Sequence, residues 1–341
     1  MGLVLAAAVA LLPTFALRFV SGPGLLWVSY CWLLALLAVG GLWLAAVGEL
    51  WLALVCLWFL CRWRDRSLLA SLVRWIAVGA SWYLFLQVPR RAWPWIALVW
   101  VLLQCAQSLL VLVKAIRLRP LRQPGWSPSP VMTALALALV TPFAGWAAWP
   151  FLGVGLLITS SWIAFLGVGA GLLWLYPGTW LYGAAGALTA GSLLWFSRWQ
   201  QAHGYRPWMD WTPRGDSLDG ITSRWGGWLG LYLLLWREPA WWWGRGPDTT
   251  EAGLLEVSSR SNVETPLGDA CNELVQLTVE YGVLGLGIAV AFVWRVAPHL
   301  HLGDPWAAAW VVGCVLSMAH WPLRYPPTGL MFLAISAKVV Q

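Results

Sequence analysis

Residues 270–285 read Ala-Cys-Asn-Glu-Leu-Val-Gln-Leu-Thr-Val-Glu-Tyr-Gly-Val-Leu-Gly, polar groups able to do chemistry set into an apolar run. Asn272 and Glu273 open the run, and Gln276 and Glu280 are one helical turn apart. Carboxylates in first turns suit the positive end of a helix dipole. The expected element is a helix whose polar outer end is a site and whose middle, at Gly282 and Gly285, packs closely on a neighbour. Glu280 falls about two turns into the apolar stretch, where an ionisable group is costly enough to need a partner. Among the cations, Arg245 stands between Gly244 and Gly246, whose backbones are free enough to approach a ligand closely, although a plain turn fits as well. Arg224 precedes an apolar stretch, where it can cap a surface helix or snorkel to headgroups.

Cysteine chemistry is excluded as a framework. Cys31, Cys56, Cys61, Cys105, Cys271 and Cys314 show no metal-ligand spacing, so neither a zinc site nor a disulfide scaffold is expected. Most lie in apolar runs and read as small hydrophobes; Cys271 alone borders a polar loop.

The elements that must position these residues are read from composition. The chain has 341 residues, 60% hydrophobic and 10% charged, with a mean hydropathy of +0.70. Soluble domains carry roughly 25% charged residues, so a soluble enzyme is excluded and a polytopic membrane protein expected. The net charge of +7 sits in short loops between apolar runs, which speaks against nucleic acid as a partner and for membrane lipids. The 31 Trp are expected mainly in interfacial belts.

Apolar runs predict all-α spans at 2–19, 25–46, 48–60, 68–88, 95–116, 131–147, 151–175, 179–196, 272–296, 306–320 and 328–340, about eleven in all (10–12). The domain reading is 1–197 for the N-terminal spans, 198–271 for one large outer loop, and 272–341 for the C-terminal spans. That loop holds nine of the fourteen acids and seven Arg, and its stretch 225–236 is expected as a helix lying on or dipping into the outer surface. Arg62, Arg64 and Arg66, with Lys114, Arg117, Arg119 and Arg122, are taken as cytoplasmic. Arg295 and Lys338 then fall inside, while Arg90, Arg91 and Arg324 fall outside against the rule. A basic residue kept there against the trend points to an anionic ligand, although for Arg324 a headgroup contact is the simpler role.

The run 272–285 resembles the O-antigen ligase/polymerase superfamily of bacterial envelope proteins. Its pattern there is close to His-Asn-x-x-Leu-Gln-Leu-x-x-Glu-x-Gly-x-x-Gly after a large periplasmic loop. Asn272, Gln276, Leu277, Glu280, Gly282 and Gly285 match in register, with Cys271 in place of the His. Upstream, Arg224-x-x-x-Trp228, then Pro239 and Gly244-Arg245-Gly246, are similar to the family's Arg-x-x-x-Trp helix, Pro and Gly-x-Gly turn. His320-Trp321-Pro322-Leu323-Arg324-Tyr325-Pro326 is similar to its aromatic-Pro-Leu-Arg-x-Pro segment, and Thr159-Ser160-Ser161-Trp162-Ile163-Ala164 lies where Ser-Arg-x-Ala is usual, with Trp162 for the Arg. The likeness covers the chain from about Gly125 onward.

The resemblance implies a GT-C-like helix bundle in the bacterial cytoplasmic (inner) membrane with its large loop periplasmic. It implies a metal-independent, cofactor-free glycosyltransferase that moves a glycan from polyprenyl pyrophosphate to the hydroxyl of a glycan, lipid or protein acceptor, as in lipopolysaccharide biosynthesis. Arg224, Arg245 and Arg324 would hold the pyrophosphate, since the guanidinium fork can grip phosphate oxygens bidentately. Asn272, Gln276, Glu280, Gly282 and Gly285 would be structural. The acceptor hydroxyl needs a general base, and Cys271, a thiol of ordinary pKa near 8.5, is a poor one. Asp269, Glu273 and His320 are the candidates to take its place, with Cys271 itself otherwise an inert residue at a helix start. Loss of the His and the Arg also admits a non-catalytic protein that binds lipid-linked glycan or scaffolds envelope assembly, and the broken apolar pattern at 153–171 admits a transporter.

Overall fold

The computed structural model describes residues 55, 68–118, 125, 130–159, 161–179, 218–237, 242–246, 249–261, 272–319 and 326–341. Of these, 87% are helical and none forms a strand. The described helices are α1 (Leu68–Leu86), α2 (Trp93–Leu118), α3 (Pro130–Val140), α4 (Trp149–Thr159), α5 (Trp162–Leu175), α6 (Leu218–Trp236), α7 (Thr250–Ser261), α8 (Glu273–Val296), α9 (Pro305–Ala319) and α10 (Pro326–Val340). The expected spans at 2–19, 25–46, 48–60 and 179–196 lie outside the described residues, save Val55 and Thr179.

Local chemistry sets several helix ends. Proline at or near the first position starts α2, α3, α4, α9 and α10, where a missing N–H is harmless. Asp304 caps α9 by accepting from the backbone N–H groups of Trp306 (3.1 Å) and Ala307 (3.3 Å). The expected span 131–147 is helical only to Val140, then tightens into a short 3-10 turn at Thr141–Phe143 that contains Pro142. The expected single span 151–175 is two helices. Thr159 turns its hydroxyl back onto the Leu156 carbonyl (2.9 Å), and Ser161 is extended before α5 begins, the competition with the helix ladder that hydroxyl side chains offer.

The chain divides into two compact units. In one, residues 91–179 and 300–316 pack α2, α3, α4, α5 and most of α9. Its core includes an aromatic cluster in which Trp306 meets Phe143 at 4.5 Å, Trp93 at 5.2 Å and Trp100 at 6.2 Å between ring centroids. Part of the tryptophan content is therefore packing material and not an interfacial belt.

α2 is apolar outward and polar inward. Trp95, Leu98, Leu102, Leu109, Val113 and Ile116 are exposed along one face at helical spacing, while Gln104, Gln107 and Ser108 are buried on the other. A helix in water has the opposite pattern. Among the described residues, Arg90–Arg117 (28 residues) and Glu273–His299 (27 residues, interrupted at Gly282) are long and apolar enough to cross a membrane by length and composition. Two such helices point to membrane association. The others are shorter: α1 and α6 have 19 residues each, and α4, with 11 residues, is about 16 Å long against a hydrocarbon layer of ~30 Å.

The second unit holds residues 68–90, 218–299 and 317–341, hence α1, α6, α7, α8 and α10. Trp75 and Trp82 of α1 meet Tyr281 and Phe292 of α8, and Phe292 meets Phe332 of α10. At the far end the Gln341 side chain donates to the carbonyls of Phe85, Leu86 and Val88, and Arg90 donates to the Gln341 carbonyl. Contacts that advance together along the chain mean that α1, the second half of α8 and α10 run parallel. Arg90, Arg295 and Lys338 thus fall toward one end of this unit.

Glycine contacts test the packing of the first unit. A Cβ at Gly171 of α5 would press on Val312 and on the Ala308 carbonyl of α9, whereas one at Gly169 meets nothing within 4 Å. Gly171→Ala should lower the thermal midpoint in detergent by the equivalent of about 1–3 kcal/mol, the usual cost of overpacking. Gly169→Ala should leave it unchanged or raise it, and equal midpoints would refute the α5–α9 contact.

Candidate functional site: a break in α8 held by glycines

α8 begins as the sequence predicts. Asn272 accepts from the N–H groups of Leu274 (2.9 Å) and Val275 (3.1 Å) through its side-chain oxygen, and its Nδ2 donates to the Met318 carbonyl (2.8 Å). Glu273 is buried in the first turn. The helix then breaks at Gly282 (φ 68°, ψ −154°), a conformation that only glycine adopts without strain. A Cβ on Gly285 would overlap the Leu277 carbonyl eight residues earlier. Those positions would be about 12 Å apart along a straight helix, so the chain folds back sharply at the break.

A break of this kind strips hydrogen-bond partners from the carbonyls just before it. The loop at 242–246 supplies replacements: the Arg245 N–H donates to the Val279 carbonyl (2.8 Å) and the Gly246 N–H to the Glu280 carbonyl (3.0 Å). The two backbones touch. A Cβ on Gly282 would overlap the Trp242 carbonyl, and one on Gly244 would overlap the Glu280 carbonyl. Gly244 (φ 75°) and Gly246 (φ 109°) also take backbone angles that other residues rarely adopt.

α6 and α7 anchor this loop on the first half of α8. Leu231 and Leu234 of α6, Leu254 and Val257 of α7, and Val275 and Val279 of α8 form one buried cluster with Trp228 against it. Gly230 and Gly253 let α6 and α7 approach closely, since a Cβ at either would press on Val257 or Leu231. α6 therefore spans more than the expected 225–236, and its inner face belongs to a three-helix core.

The buried polar groups are tied to the same break. Glu280, 1% exposed, accepts at Oε1 from Gln276 Nε2 and from Thr250 Oγ1, both at 3.0 Å. Its carboxylate thus has the partners that its depth demands, and it joins α7 to α8. Gln276 Oε1 is buried with no partner among the described residues. Arg245 makes a 2.6 Å ion pair with Glu256 of α7, both side chains partly exposed. The site is thus a cation–carboxylate pair above a buried carboxylate network, able to hold an anion through Arg245 if Glu256 shares or yields the guanidinium.

The candidates divide on this geometry. Asn272, Glu273, Gln276, Glu280, Gly282, Gly285 and Arg245 belong to one continuous structure. Arg224 lies on α6, one turn before Trp228. Asp269, Cys271, His320 and Arg324 fall outside the described residues. Among the described residues no group of three His, Cys, Asp or Glu could hold a metal ion. Sequence reasoning missed Thr250 and Glu256. The available signal was the helix start Thr249-Thr250-Glu251 followed by Leu254 and Val257 on one face. No family model matches the chain, and no curated protein matches it.

Gly282→Ala should cost about 1–3 kcal/mol in backbone strain alone, with the clash against Trp242 added. Hydrogen exchange gives the specific readout: the Arg245 and Gly246 amides should lose protection in this variant while α1 keeps its own. Unchanged protection at both amides would refute the capping role of the loop.

Proposed function

We propose that this protein is an O-antigen ligase/polymerase-like membrane protein that binds a glycan carried on polyprenyl pyrophosphate and transfers it to an acceptor hydroxyl. One observation carries the reading. Gly244-Arg245-Gly246 and Glu280-Tyr281-Gly282, pieces of the family pattern far apart in sequence, are bonded to each other backbone to backbone. Their joint presence supports a common purpose, because Gly244 and Gly282 each leave room for the other segment's backbone.

In this reading Arg245, Arg224 and Arg324 neutralise the pyrophosphate, and Arg245 reaches it by sharing its guanidinium with Glu256. The acceptor oxygen attacks the sugar carbon, the bond to the pyrophosphate oxygen breaks, and the hydroxyl proton passes to a base. Asp269, Glu273 and His320 are the groups able to take it where Cys271 is not. The bundle is polytopic and sits in the inner membrane, with α6 and α7 on the extracytoplasmic side. The end that gathers Arg90, Arg295 and Lys338 is then cytoplasmic, in keeping with the charge rule, and labelling at 251 and 341 from each side tests this.

A second reading rests on the same residues. Cys271 and Trp162 stand where the family has its base and one of its cations, which favours a protein that binds lipid-linked glycan without transferring it.

Release of polyprenyl pyrophosphate from a lipid-linked glycan by the purified chain tests the first reading. Cys271→His should raise the rate by up to about 10²–10⁴ if only the base is lacking. Arg224→Ala should weaken donor binding and Arg224→Lys should restore it in part, because the planar fork is lost. Donor binding without transfer in every variant supports the second reading, and no binding in any variant refutes both.

A further inference from the structure

α6 carries apolar side chains on two opposite faces. Leu231, Leu234 and Leu235 are buried, while Leu229 (55% exposed), Tyr232, Leu233 (52%) and Trp236 (74%) form an outward stripe at helical spacing. A helix apolar all round belongs either inside a protein core or in lipid, and this stripe is outside the core. It ends at Trp236 and exposed Arg237, and Trp242 (49% exposed) and Trp243 (41%) follow. Indole rings beside a cation at the edge of an apolar face are the signature of the headgroup layer. α2 exposes a stripe of the same kind along its whole length, the pattern that a lipid solvent favours.

We propose that the outward face of α6, with Trp242 and Trp243, is a bilayer-docking surface: Leu229 and Leu233 enter the acyl layer and Arg237 meets anionic headgroups. Residues 218–237 and 242–246 are then seated in the membrane interface, and the surface helix expected at 225–236 gains a defined lipid-facing side. Arg245 follows Trp243 by two residues, at most about 7 Å of chain, so docking brings it to the layer of lipid phosphates. The inference is independent of glycan transfer.

The test uses the full chain in bilayer discs of phosphatidylcholine with and without phosphatidylglycerol. Leu229→Cys, Leu233→Cys and Glu251→Cys, each in a chain whose own cysteines are exchanged for alanine, carry a nitroxide label. Collision rates with oxygen and with an aqueous nickel chelate are compared. Glu251 is exposed on α7 and serves as the water-facing reference. The expected result is a higher oxygen-to-chelate ratio at 229 and 233 than at 251. Phosphatidylglycerol should raise the ratio at 233 further, and Arg237→Ala should abolish that increase. Chelate access at 229 and 233 equal to that at 251 would overturn the proposal. So would low access to both reagents with spin–spin broadening, since a second copy of the chain would then cover the face.

Discussion

Backbone carbonyls buried away from water must be given donors, and the second unit is organised around one place where the chain itself removes them. Gly282 turns α8 out of helical geometry and leaves the Val279 and Glu280 carbonyls without their usual donors. The Arg245 and Gly246 N–H groups take over, which requires the loop backbone to lie directly against α8 and therefore glycine at 244 and 282. Everything that fixes the loop follows from this: the α6–α7 pair packed on the first half of α8, the Thr250 and Gln276 hydrogen bonds to Glu280, and the Glu256 partner of Arg245. An unmet carbonyl in a buried site costs more than an ordinary hydrogen bond contributes, so the break and its cap are retained or lost together.

The distribution of side chains obeys a second constraint, the solvent. α2 turns leucine and valine outward and glutamine and serine inward. In a lipid environment the outward face gives up nothing, and inward polar groups favour close contact between helices. The aromatic cluster around Trp306 and the Gly171 approach of α5 to α9 give the first unit the shape complementarity that such a solvent does not supply by hydrophobic exclusion. In the second unit the Gln341 side chain does at the end of α1 what a capping residue does in water, by donating to three carbonyls that have left the helix ladder.

The proposed chemistry depends on how these constraints meet at Arg245. Its main chain is committed to α8 and its side chain to Glu256, so the guanidinium is held in a defined place at the rim of a buried carboxylate network. Preorganisation of that kind suits a cation that must receive a charged leaving group without rearranging. It suits equally a group whose role is to bind.

The sequence by itself determined the helical class, the apolar runs that became α1, α2, α9 and α10, and the polar start of α8 at Asn272, because these depend on local periodicity and on capping chemistry within a few residues. It also marked Gly244, Gly246, Gly282 and Gly285 as positions of close approach. Which backbones approach was decided only by the tertiary structure, since a glycine declares freedom and not its partner. The split of 151–175 at Ser161 and the reversal at Gly282 were hidden for a related reason: hydropathy registers apolar content and is blind to a single residue leaving helical geometry. The parallel course of α1, the second half of α8 and α10 was likewise set by tertiary contacts, Trp82 with Phe292, Phe292 with Phe332, and Gln341 with the end of α1. Glu256 escaped notice because its partner lies eleven residues away across a turn, where only the packing of α7 on α6 and α8 sets the distance.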